Sequence, residues 1–224
     1  MASVISALTS GGGGISMTGD ASGILNLNSN GTTVVAVTST SVAVTGTLAA
    51  TGAITGSSTV AGSTGILYPL TSGTAVASTS GTSIDFTSIP SWVKKITFMF
   101  KAVSTNGSGN WLVRLGTSGG IVTTGYLGSG VYAGATPGGV NSTAGFIFPI
   151  GGAAQSMHGS MIITLEDSAT NAWVQQGVLG DSSQQYMFFS GGSLALSGVL
   201  DRIRLTTVAG TDTFDAGSVN ILYE

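Results

Sequence analysis

The chain has 224 residues, enough for one sizeable domain and an extension, yet only 7% of them are charged, against about 25% in an ordinary globular protein, and 36 are Gly. A net charge of −3 with six scattered basic residues (Lys94, Lys95, Lys101, Arg114, Arg202 and Arg204) offers no basic face for a nucleic-acid backbone, and without Cys there is neither a disulfide framework nor a thiolate metal site. Mean hydropathy is positive, but the apolar residues are dispersed among Gly, Thr and Ser, with no run near the roughly 18 residues of a membrane-spanning helix, so no membrane insertion is expected.

The opening Met-Ala-Ser-Val-Ile-Ser has no basic stretch before a long apolar run, so no secretory signal is expected. Residues 1–30 are marked by the run Gly11, Gly12, Gly13 and Gly14, followed by Ile15 to Asp20. Glycines this dense suit a backbone that turns tightly or fits a groove on a partner. Ile24 to Asn28 alternates as a short strand, and Asn30-Gly31 supplies a hairpin turn. Residues 31–67 carry an internal echo: Val35-Ala36-Val37-Thr38 returns as Val42-Ala43-Val44-Thr45, followed by Thr-Gly pairs at 45–46, 51–52 and 55–56. Short alternating segments with Thr-Gly turns predict a small-residue β shaft. Up to residue 84 the only charged residue is Asp20 and the only aromatic is Tyr68. A lone chain of this composition has too little bulk to bury against its conformational entropy. Small residues order when several backbones lie close together, so the composition predicts an intertwined homo-oligomer.

From Tyr68 the composition changes, and residues 68–224 read as a compact β domain, a β-sandwich of jelly-roll-like build. Strands are expected over Ser83–Phe86, Lys95–Val103, Trp111–Leu115, Gly145–Ile150, Ser160–Leu165, Ala172–Val178, Met187–Phe189, Ser193–Leu196, Asp201–Thr207 and Ser218–Tyr223. Clusters at Ser104–Asn110, Thr117–Gly120, Gly134–Gly139 and Gly180–Gln184 separate them as turns. No stretch has sustained helical periodicity, and Pro90-Ser91-Trp92-Val93 is the one candidate for a single helical turn. Trp92, Phe98, Phe100, Phe146 and Phe148 sit at core-like positions. Trp111, Tyr126, Tyr132, Trp173 and Tyr186 adjoin Gly/Ser-rich loops, with amides such as Gln175, Gln176, Gln184 and Gln185 nearby, and are candidate glycan contacts.

Catalytic chemistry finds little support. His158 is the only histidine, so one chain cannot assemble a Ser-His-Asp triad or a His cluster for a metal. Glu166-Asp167 are neighbours on a strand and point to opposite faces, while Asp212 and Asp215 have the spacing of turn residues. Gly11 to Gly14 is not followed by the Lys-Ser/Thr of a phosphate loop. No enzymatic activity, cofactor or metal site is therefore expected.

Two stretches resemble tailed-bacteriophage virion structural proteins. Residues 9–48, TSGGGGISMTGDASGILNLNSNGTTVVAVTSTSVAVTGTL, are similar to leaders in which a Gly-rich segment with a Gly-Asp-x-Ser-Gly turn precedes a small-residue shaft. Residues 84–127, from IDFTSIPSWVKKITF to GGIVTTGYL, together with the close DRIRLTTVAGTDTFDAGSVNILYE at 201–224, resemble a C-terminal β domain of phage tail proteins. The resemblance implies a homotrimeric tail fibre in the virion, assembled in the bacterial cytoplasm. In such a protein residues 1–30, with Gly11 to Gly14 and Asp20, dock onto other virion proteins, and the distal domain contacts host surface glycans. A capsid decoration or head-fibre protein is the alternative. A polysaccharide-cleaving spike would need paired carboxylates, and the nine acidic residues here are mostly isolated.

Overall fold

From Ser83 onward, β-branched and aromatic residues recur at every second position over many short segments, a period that buries one face of a pleated strand. The computed structural model describes residues 28–29, 32–33, 60–62, 65–67, 70–153 and 155–224. Among these there is no helix, and every ladder is antiparallel. The chain divides into two compact units, Met1–Thr55 and Gly56–Glu224. In the first, β1 (Asn28–Ser29) pairs with β2 (Thr32–Thr33), Ser29 opposite Thr32, on either side of Asn30-Gly31 in the sequence. Gly11 to Gly14, Asp20, the segment Ile24 to Leu27 and the echo over 35–45 lie outside the described residues.

In the second unit a hairpin pairs β3 (Val60–Gly62) with β4 (Gly65–Leu67). Then follow β5 (Thr71–Ser72), β6 (Val76–Ala77), β7 (Ser83–Phe86), β8 (Lys95–Thr105), β9 (Trp111–Thr117) and β10 (Gly120–Ile121). After these come β11 (Leu127–Ala133), β12 (Gly138–Ser142), β13 (Phe146–Phe148) and β14 (Met157–Asp167). The last four are β15 (Ala172–Asp181), β16 (Met187–Ala195), β17 (Arg202–Thr207) and β18 (Phe214–Tyr223). A larger sheet runs β12-β11-β16-β15-β14-β8-β18-β5, with β6 also on β18. A smaller sheet runs β10-β9-β17-β7, with β13 also on β9.

Buried side chains of both sheets form one core. The larger sheet contributes Phe98 and Phe100 from β8, Met161 and Ile163 from β14, and Phe214, Val219 and Ile221 from β18. The smaller contributes Ile84, Trp111, Val113, Leu115, Ile203 and Leu205, with Phe146 and Phe148 from β13. Trp111 lies 6.3 Å from Phe100 and 5.9 Å from Phe214, centroid to centroid, and so joins the two sheets. Burying each of these large side chains contributes about 1.5–3 kcal/mol. Trp92 is half-buried at the margin of the core against Tyr223.

The structure extends several expected strands and corrects three readings. Pro90 to Val93 is a hydrogen-bonded turn, with the Val93 amide donating to the Pro90 carbonyl at 3.0 Å, and not a helical turn. Met187–Phe189 and Ser193–Ala195 belong to a single strand, β16, that runs through Gly191-Gly192 and stops short of Leu196. The expected turn over Gly134–Gly139 yields its last two residues to β12, and β11 was not foreseen. Gly128 and Gly130 hide β11 in the sequence: a Cβ on Gly130 would lie 2.4 Å from the Ile147 carbonyl oxygen, and one on Gly128 would lie 2.8 Å from that of Gly145. The backbone around β13 presses directly on β11, so its first two inward positions are glycine where a sequence pattern would show apolar side chains.

Candidate functional site

The five candidate glycan contacts separate into two groups. Trp111, Tyr126 and Trp173 are corrected: they are buried in the core, at 0%, 0% and 2% exposure, and cannot meet a glycan. Trp111 opens β9 and Trp173 is the second residue of β15, each at the first inward position after a loop, which takes the side chain into the core. Their indole N–H groups reach no acceptor among the described residues. Tyr126 points its hydroxyl at the smaller sheet, where it accepts from the Leu115 amide at 2.6 Å and lies within 3.1 Å of the Val122 carbonyl oxygen. Burial pushes its phenol well above the usual tyrosine range.

Tyr132 and Tyr186 come together. Tyr132 lies on β11 and Tyr186 directly precedes β16, and the antiparallel register of Tyr132 with Phe188 brings the three rings to one end of the larger sheet. The two tyrosine rings meet edge to face, at 6.0 Å and 86°, and both pack on Phe188 at 6.2 and 6.3 Å. Two glycines make room for them. A Cβ on Gly134 would lie 2.0 Å from the Tyr186 ring, and one on Gly138 would lie 2.6 Å from the Tyr132 hydroxyl. Both tyrosines remain partly exposed and line a cavity of about 260 Å³ together with Phe188, Pro149, Gly151, Gly152, Gln155 and Gln184.

Below this cavity lies a buried polar network. Gln155, 6% exposed, accepts from the Gly152 amide at 2.9 Å and donates to Asp181 at 3.0 Å. Asp181, 7% exposed, also accepts from the Ser156 amide at 3.2 Å, and from the Ser183 amide and hydroxyl at 2.8 and 2.6 Å. A buried carboxylate with this many donors is held rigidly. It links Gly152, Gln155 and Ser156 to the end of β15. Sequence reasoning missed Gln155 and Asp181, because nothing in their local sequence marks a loop residue and a strand end that meet across 26 positions.

The other polar candidates serve structure. Asp167 caps the β14–β15 turn, accepting from the Ala169 amide and the Thr170 hydroxyl, both at 2.8 Å. These bonds hold its carboxyl below the usual range. Asp212 accepts from the Gly109 amide at 2.8 Å, and Asp215 accepts from the Ser104 hydroxyl. His158 is an exposed residue of β14 beside the irregularity at Gly159, and its Nδ1 accepts from the Ala102 amide at 3.4 Å. Among the described residues no three His, Asp or Glu side chains gather where a metal ion could sit.

A second surface lies on the outward face of the larger sheet. Val131 of β11 is opposite Phe189 of β16, and Phe189 is opposite Val178 of β15, a cross-strand apolar row exposed at 41–47%. Met187 extends it on β16, while Leu127 and Val174 lie beyond an exposed row of Ser129, Gly191 and Gln176. The strands β11, β15 and β16 carry no Lys, Arg or Glu, and their one Asp, Asp181, is turned inward. No family model, curated protein or solved structure matches the chain.

Proposed function

We propose that this protein is a structural component of a tailed-phage virion, a homotrimeric tail fibre with no enzymatic role. In this proposal residues 1–30 dock onto other virion proteins, residues 31–67 form a shaft, and residues 68–224 form a distal β-sandwich, jelly-roll-like in build, that contacts host surface glycans. The observation that carries it is the uncharged apolar face of β11, β16 and β15. With three strands spaced about 4.8 Å apart and some nine residues long, this face measures about 430 Å². An area near about 430 Å² is in the range of the largest patch a monomer leaves bare, and such patches are often contact surfaces. Because the face holds charge of neither sign, the partner it fits best is an equally uncharged one, and another copy of this chain supplies it. Small apolar groups between chains contribute little singly and much together.

Sedimentation equilibrium of the full-length chain is expected to give three times the chain mass of 22.1 kDa. A folded monomer at micromolar concentration would sink the proposal. Copy number in purified virions then assigns the position: few copies mark a tail fibre, and copies in proportion to the capsid lattice mark a decoration or head-fibre protein.

A further inference from the structure

We infer that the cavity between Tyr132 and Tyr186 is a binding site for a single neutral saccharide ring. The inference rests on the glycan-contact part of the proposed function and names its place and ligand class. Three features of the cavity select the ligand. Its volume, about 260 Å³, falls below the roughly 300–1,000 Å³ of sites for drug-sized molecules, so it takes one ring and not an extended oligomer. Its walls combine two half-exposed tyrosine rings with the exposed amide of Gln184. A pyranose has the matching surfaces: a patch of C–H bonds that packs on the electron-rich face of an aromatic ring, and a rim of hydroxyls that both donate to and accept from amides and phenols. Finally, none of its lining residues is charged. A carboxylate or sulfate ligand would therefore be desolvated without a cation to meet it, which disfavours acidic sugars.

The site is also preorganised. Gly134 and Gly138 fit closely against the two rings, and hydrogen bonds to Gly152 and Asp181 hold Gln155, another lining residue, in place. A ligand would thus spend little of its interaction energy on ordering the protein. A proline-rich peptide is the competing occupant of an aromatic-lined slot. It is disfavoured because edge-to-face packing of Tyr132 on Tyr186 makes one recess, whereas an extended peptide needs a series of parallel ridges.

The test is saturation-transfer difference NMR on the full-length protein with the methyl glycosides of glucose, galactose and N-acetylglucosamine, each at millimolar concentration. N-acetylneuraminic acid and a proline-rich peptide serve as comparison probes. Saturation is expected to reach at least one neutral glycoside, chiefly its ring C–H protons, and neither comparison probe. Tyr186→Ala is expected to weaken this binding about tenfold, and the exposed Gln184→Ala about three- to tenfold, while Tyr186→Phe retains most of it. Gln184→Ala and Tyr186→Phe keep the test decisive if Tyr186→Ala fails to fold. The inference is overturned if no neutral glycoside receives saturation, if Gln184→Ala and Tyr186→Ala bind as the parent does, or if the acidic sugar or the peptide binds in preference. Sedimentation of the same samples keeps the two proposals apart: a trimer blind to saccharides loses the cavity site alone, and a monomer that binds them loses the fibre assembly alone.

Discussion

Tyr126 shows how one side chain couples the edge of the smaller sheet to pH. Its hydroxyl accepts from the Leu115 amide and lies near the Leu115 and Val122 carbonyl oxygens, and burial holds the phenol in its neutral form. An unfolded tyrosine loses its proton near pH 10, whereas the folded one keeps it to higher pH. Above about pH 10 the unfolded state therefore binds fewer protons than the folded state, and stability falls as pH rises. The contribution is complete below pH 10. Tyr126→Phe is expected to flatten this alkaline loss in urea denaturation followed by tryptophan fluorescence. At pH 7 the same variant should cost about 1–3 kcal/mol, since the buried Leu115 amide loses its acceptor. Parallel pH slopes for the two proteins would show that the hydroxyl is not buried as described. Trp111 and Trp173 teach the complementary lesson: adjacency to a glycine-rich loop said nothing about their exposure, because the inward phase of the strand that begins at each decided it.

At the scale of elements, glycines in this chain punctuate less than they permit close packing. Gly191 and Gly192 are consecutive in β16, on opposite faces. A Cβ on Gly191 would meet nothing within 4 Å, whereas one on Gly192 would lie 2.5 Å from the Leu127 carbonyl oxygen and 3.0 Å from the Gly128 Cα. Gly191→Ala should thus be neutral or stabilise by up to about 1 kcal/mol through the unfolded chain. Gly192→Ala should destabilise by about 2 kcal/mol or more, because backbone cannot yield as a flexible side chain can. Thermal unfolding of the two single variants checks the contrast, and equal shifts would contradict the β11–β16 register. The expected strands Met187–Phe189 and Ser193–Leu196 left this pair outside both. The stretches Lys95–Val103, Ser160–Leu165, Ala172–Val178 and Ser218–Tyr223 were legible because most of their inward positions carry large side chains, such as Ile96, Phe98, Met161, Ile163, Trp173, Val219 and Ile221.

For the whole molecule, the outward face of β11, β16 and β15 separates folding from association. Phe189 and Val178 are exposed at 41% and 45%, so they contribute little to the core of their own chain. Phe189→Asp is expected to leave near-ultraviolet circular dichroism unchanged while shifting the sedimenting species toward the monomer, since each interface would then bury an unpaired charge. In the parent, the unfolding temperature should rise with protein concentration, as it does wherever assembly favours the folded state. A variant that sediments like the parent would remove this face from the assembly.

The sequence by itself determined that the described part of the chain is antiparallel β, through a side-chain period of two and a scarcity of helix-forming patterns. It also placed Tyr132 and Tyr186 among the residues able to face a ligand. Only the tertiary structure decided which of the five aromatic candidates stay at the surface. Only it built a cavity from Tyr132, Tyr186, Gln155 and Gln184, and a bare apolar row from Val131, Phe189 and Val178. The physical reason is range. Periodicity reports which face of a strand a residue occupies, but what that face meets is fixed by strand order and by backbone approaches that only glycine allows, and both join residues far apart in the chain.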